Sequence, residues 1–95
     1  MILGKVAGTV VSSTTRIGIA GASFLLIEKC SQAGVLKNDF VVALDLVGAG
    51  RDEMVMVSEG STARETPLTA GKPFDALIVG IVDLIDENET VIYRK

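Results

Sequence analysis

The sequence has 95 residues with a net charge of −3, no histidine and a single cysteine. The length fits one domain, residues 1–95, and leaves little room for a catalytic domain plus a regulatory one. The acidic balance, with a pI near 4.8, argues against a partner held through its phosphate backbone, and the missing histidines remove the commonest general base and zinc ligand together.

Residues 3–12, LGKVAGTVVS, alternate with strand period, placing Val6, Gly8 and Val10 on one face and Lys5, Ala7, Thr9 and Val11 on the other. The small, polar, glycine-bearing run SSTTRIGIAGA then reads as a loop. A second strand follows at 23–30, with Phe24, Leu26 and Glu28 opposite Leu25, Ile27 and Lys29. After the connection SQAGVLKN, residues 39–47, DFVVALDLV, are too β-branched and too short to favour a helix over a third strand. The turn Gly48-Ala49-Gly50 breaks it. Residues 53–59 make a fourth strand. In the segment GSTARETP, Thr62 and Glu65 fit a capping box, each side chain meeting the other's backbone donor, and Pro67 limits that helix to about one turn. Residues 74–85, FDALIVGIVDLI, read as a long fifth strand with a bend or bulge at Gly80. A turn over Asp86–Glu89 returns TVIYRK as a short last strand. The order predicts an all-β fold, a small closed five-stranded OB-like barrel with one short helix. Closure removes exposed edges that would pair indiscriminately.

The chain is 48% hydrophobic before its ten glycines are counted, whereas an average soluble domain reaches about 45–50% with glycine included. A domain this small buries only roughly 60–65% of its unfolded surface. No run attains the roughly 18–20 apolar residues of a membrane span, because Lys5, Glu28, Asp45, Glu59 and Asp83 interrupt every candidate. The start MILGKVAGTV has neither the charged lead nor the cleavage site of a signal peptide. Self-association in the cytoplasm is the expected sink for the surplus, with no membrane partner.

Candidate ligand sites are few. Gly48-Ala49-Gly50 could cradle a phosphate with backbone amides, but it lacks the spacing and the lysine of a P-loop. A tight connection against a neighbouring subunit fits it better. Asp83, Asp86, Glu87 and Glu89 lack the ligand spacing of a calcium loop and read as a solvated hairpin end, so no metal or cofactor is expected. Asp45, inside an apolar strand, is expected to point outward or to pair with Arg16, Arg51 or Arg64. Cys30 reads as a small apolar filler. The aromatics Phe24, Phe40, Phe74 and Tyr93 fall mostly at core positions. With no basic groove to stack bases above, no nucleic-acid partner is expected. Ser12, Ser13, Thr14 and Thr15 have no neighbouring base to make a nucleophile.

The stretches GKVAGTVVSS, FLLIE (24–28), VALDLVGAG (42–50), EGSTAR (59–64) and PFDALIVGIVD (73–83) resemble the pentameric vertex proteins of bacterial microcompartments, the EutN/CcmL family. The resemblance covers most of the chain in family order. It implies an OB-like protomer, five to a ring, closing the pentagonal corners of a shell otherwise built from hexameric shell proteins. It carries no catalytic residues, so no enzyme is expected. The subunit contacts are expected at Gly48, Ala49 and Gly50 and at Ser61, Thr62 and Arg64. Two positions depart from the family pattern: Arg51-Asp52-Glu53 stands where members commonly have, one residue after the GAG turn, Gly then Glu, and Ser61-Thr62 stands where many have paired serines. The alternative expectation is a small OB-like barrel that binds a small molecule or a nucleic acid.

Overall fold

In the computed structural model, the described residues are 1–11, 23–60, 63, 65–67 and 75–95. They contain seven strands: β1 (Ile2–Val10), β2 (Ser23–Cys30), β3 (Leu36–Asp45), β4 (Met54–Glu59), β5 (Ala76–Ile81), β6 (Leu84–Glu87) and β7 (Thr90–Arg94). The first five close into a barrel in the order β1-β2-β3-β5-β4, and β6 with β7 forms a separate two-stranded sheet. All barrel neighbours are antiparallel except β3 and β5, which run parallel through Leu44 opposite Leu77 and Asp45 opposite Ile78. This is the expected OB-like, all-β barrel.

Alternation sorts the side chains. Val6, Leu25, Ile27, Ala43, Val55, Val57, Ala76 and Ile78 point inward and form the main core. Ile27, Val55 and Val57 are wholly buried, each contributing about 1.5–3 kcal/mol on removal from water. Some of their neighbours point outward and are covered elsewhere. Leu44 and Leu77 pack with Ala63, flanked by Phe24 and Leu46. Met54, Val82 and Cys30 pack with Leu3, Ile85 and Tyr93, so the β6–β7 hairpin rests on the outer wall of the barrel. Gly4 is buried where β1 meets β2. A Cβ there would strike the Ile27 side chain and lie 3.0 Å from the Glu28 carbonyl oxygen, so only glycine lets the strands approach.

Bulges supply the curvature that so small a barrel needs. Ala7 is the extra residue in β1, between the pairs Val6–Ile27 and Gly8–Leu26. Val79 is the extra residue in β5, beside the glycine at which a bulge was expected. In β3, Lys37–Asp39 face the single residue Lys29. Asn38 there takes φ +54°, a conformation asparagine tolerates better than most, and donates its N–H to the Glu28 carboxylate at 3.0 Å.

Two sequence expectations need correction. The third strand begins at Leu36 rather than Asp39, because the bulge hides its alternation. The run 74–85 is not one strand: it breaks at Val82-Asp83, and Leu84 starts the hairpin, whose two-residue turn Asn88-Glu89 has φ of 51° and 67° as a type I′ turn requires. Of the aromatics expected mostly at core positions, Phe24 and Tyr93 pack against core clusters, while Phe40 stands 46% exposed on the outer face. Of the expected helical turn, Ser61, Thr62 and Arg64 lie outside the described residues; Thr66 lies in a bend and Pro67 in a turn, and no α-helix occurs among the described residues.

Candidate assembly site

The loop from β3 to β4 is organised by two carboxylates. Asp45 ends β3 only 6% exposed. Its Oδ1 accepts the N–H groups of Val47 and Gly48, each at 3.1 Å, and of Ala49 at 3.4 Å, while Oδ2 accepts Ala49 at 3.2 Å. Glu53, just before β4, accepts the Gly50 N–H at 2.6 Å. Four consecutive amides are thus satisfied by acids of the same loop. The expectation that Asp45 points outward is overturned: it turns in to cap the chain, as Asx turns do, and among the described residues no ion pair joins it to Arg51. Arg16 and Arg64, the other partners considered, lie outside the described residues.

This arrangement answers the phosphate question chemically. The amide donors that an anion needs at Gly48–Gly50 already hold carboxylates, and two negative charges beside them repel another.

The backbone explains one departure from the family pattern. Asp52 has φ +67°, a region where glycine sits without steric cost and other L-residues are strained. The resemblance places a family glycine at this position. Asp52 keeps the loop path by donating its N–H to the Val6 carbonyl at 2.9 Å. Gly48 itself has φ +80° with open space around it. Ala49 is half-buried against the main core beside Ile2, Val41 and Ile81, so only part of this turn faces outward.

Sequence reasoning missed the clamp on the far side of the loop. Lys95 Nζ lies 2.6 Å from Glu53 Oε2, and the Lys95 N–H donates to the Asp83 carbonyl at 2.9 Å. The lysine's hydrogen bond and the Gly50 N–H hold the Glu53 carboxyl below the usual carboxylate range, and Glu53 raises the Lys95 ammonium above its ordinary value. Residues 53 and 95 are too far apart in sequence for any local pattern to join them.

Of the second group of expected contacts, Ser61, Thr62 and Arg64 lie outside the described residues. Between them Ala63 is wholly buried against Leu44 and Leu77. Gly60, at φ +69°, donates its N–H to the Asp75 carbonyl at 2.7 Å. An open groove of about 470 Å³ runs past Met1, Lys29, Lys37, Asp39 and Met56, with Cys30 in its wall. Burial pushes the Cys30 thiol up, away from the thiolate that a nucleophile needs. Among the described residues no three acidic or cysteine side chains gather to hold a metal ion, and no helix is long and apolar enough to cross a membrane.

Residues 1–83 match the family model described as "Ethanolamine utilisation protein EutN/carboxysome". The chain belongs to the EutN/CcmL family. The carboxysome shell vertex protein CcmL of Gloeobacter violaceus is 40% identical over 95 residues, covering 100% of this chain and 95% of that one, and its solved structure superposes with a TM-score of 0.91 over 100% and 98% of the two chains. The microcompartment shell vertex protein EutN of Escherichia coli K12 is 33% identical over the whole of both chains. The pentameric microcompartment shell protein GrpN of Rhodospirillum rubrum is 38% identical, with a TM-score of 0.80 over 92% of this chain and 99% of its own. The EutN/CcmL barrel therefore accounts for β1–β5, while the β6–β7 hairpin follows the span that the family model matches.

Proposed function

We propose that the chain is a structural shell protein, five copies of which close into a ring that caps the vertices of a bacterial microcompartment. The observation that carries this reading is the 38% identity and TM-score of 0.80 to the pentameric shell protein GrpN, joined by full-length similarity to vertex proteins named CcmL and EutN. The geometry of a shell gives such a ring its task. Hexagonal tiles pack flat, and a closed polyhedron needs pentagons at its corners. Residues 1–95 serve as one vertex unit among hexameric shell proteins, with no nucleic-acid or membrane partner and no catalysis. Supporting the last point, the carboxylates of the loop are engaged by its own amides and by Lys95. Gly48, Ala49 and Gly50, with Ser61, Thr62 and Arg64, act in ring assembly.

Exposed apolar side chains support association. Val11, Val35, Leu36, Phe40, Val42, Val47, Met56 and Val79 all stand in solvent around one protomer, more than scattered surface hydrophobics on a domain of this size. Native mass spectrometry of the isolated protein is expected to find a complex of five chains. A stable monomer, or a dimer that does not grow with concentration, would defeat the proposal. A hexamer would leave the barrel standing and remove the corner-capping geometry.

A further inference from the structure

We infer that the β6–β7 hairpin is a releasable strap. Closed, it seals Cys30 and Met54 beneath it and, through Lys95, holds the second half of the β3–β4 loop in shape; open, it lets go of both together. A single protomer carries this device, with or without the ring proposed above.

The way the hairpin is fastened sets how it can move. It forms a sheet of its own, hung from β5 by Val82-Asp83, where the Val82 N–H donates to the Met54 carbonyl at 2.8 Å. Among the described residues, no backbone hydrogen bond joins residues 84–95 to the barrel wall. Side chains fasten it at three places instead. In the middle, Ile85 and Tyr93 share an apolar cluster with Met54, Cys30 and Leu3, and Lys5 Nζ stands 5.9 Å from the centre of the Tyr93 ring. At the turn end, Gln32 Nε2 donates to Glu87 Oε1 at 3.1 Å in the open. At the other end Lys95 meets Glu53, their side chains 48% and 21% exposed. Ion pairs so open to water are weak one by one. The barrel, by contrast, is laced by strand ladders all round. An element with few buried contacts and no ladder to its support opens at lower cost than the structure beneath it.

Glu53 makes the strap more than a cover. Its Oε2 takes Lys95 at 2.6 Å and its Oε1 takes the Gly50 N–H at 2.6 Å, so one carboxylate serves the hairpin and the loop at once. Asp45 holds the N–H groups of Val47, Gly48 and Ala49 without the hairpin. Opening the strap therefore leaves the first half of the loop fixed and sets free the group that fixes Gly50. Such coupling is reciprocal: the closed strap favours the ordered loop by the same factor as the ordered loop favours the closed strap.

The chain's single cysteine supplies the test. Cys30 is 5% exposed, so its reaction with a water-soluble disulfide reagent reports opening in the native protein without an added probe. Lys95→Met is expected to raise the labelling rate about two- to fivefold and to speed exchange of the Gly50 N–H, with those of Val47, Gly48 and Ala49 unchanged. Lys95→Arg should restore both. The native rate should rise only weakly with urea below the unfolding transition, because a lifting hairpin exposes little surface. Cys30 also lines the groove past Met1, and a reagent entering there labels it at a rate indifferent to Lys95; a Lys95→Met rate equal to the native one therefore overturns the strap. A urea dependence as steep as that of global unfolding overturns it too, since Cys30 would then open only with the barrel. Faster labelling with unchanged Gly50 exchange overturns the coupling to the loop.

Discussion

Asp45 offers the sharpest test of how the β3–β4 loop is held. Its carboxylate accepts three N–H groups, from Val47, Gly48 and Ala49, at 3.1–3.4 Å while only 6% exposed. Hydrogen bonds to a charged acceptor contribute about 1.5–3 kcal/mol each. They share one acceptor group and a partly solvated loop, so the three together are worth about 2–4 kcal/mol rather than their full sum. Asp45→Ala removes every acceptor and the charge that holds the turn. Asp45→Asn keeps one oxygen and loses the charge, for about half that cost. Urea denaturation followed by circular dichroism is the assay, at fixed protein concentration because association adds to apparent stability. With a slope near 1–1.5 kcal/mol per molar for a chain of this length, the midpoint for Asp45→Ala should fall by about 2 M. A midpoint unchanged to within about 0.3 M would refute the claim that this carboxylate organises the loop.

Two further outcomes follow from the same loop. Glu53 has a lowered pKa and Lys95 a raised one, so the stabilisation from Glu53 is present above the usual glutamate pKa and lost as pH falls through the lowered value, while that from Lys95 is present below the usual lysine pKa and lost as pH rises through the raised one. Thermal melts should therefore be flat across the neutral range and fall at both extremes, and Glu53→Gln should blunt the acid limb; an unchanged acid limb would dismiss the clamp. Asp52→Gly relieves φ +67° and should raise stability by up to about 1 kcal/mol, measured as a higher melting temperature, and a lower one would contradict the strain argument.

Most of the barrel is legible in the sequence because its walls alternate: Leu25 and Ile27 against Leu26 and Glu28 announce a strand with one wet face. Legibility fails where an extra residue breaks the period, as at Lys37–Asp39, and where a single acid inside an apolar run marks a corner, as Asp83 does in FDALIVGIVDLI. Phe40 shows that an aromatic in a strand says nothing about which face it occupies when the bulge that sets the phase is invisible. Asp45 was misread for a different reason: a lone acid in an apolar strand suggests an outward charge, yet the turn residues just after it carried the better signal, an aspartate followed by donors within reach. The clamp from Lys95 to Glu53 lay beyond any local rule. For the site itself, the resemblance draws attention to the GAG turn, and the structure adds that Ala49 at its centre packs against the core.

The β6–β7 hairpin has a further consequence for the order in which the chain acquires structure. Two strands joined by a tight turn are barely stable alone in water, and this pair gains its footing from Met54, Val82, Cys30 and Leu3 on the finished wall. The barrel in turn must bring distant segments together, β1 to β4 and β3 to β5, before any of its burial is repaid. The hairpin is therefore a late event, laid down on a template rather than helping to build one. Anything that loosens the wall beneath Tyr93 will free the hairpin first and the barrel afterwards.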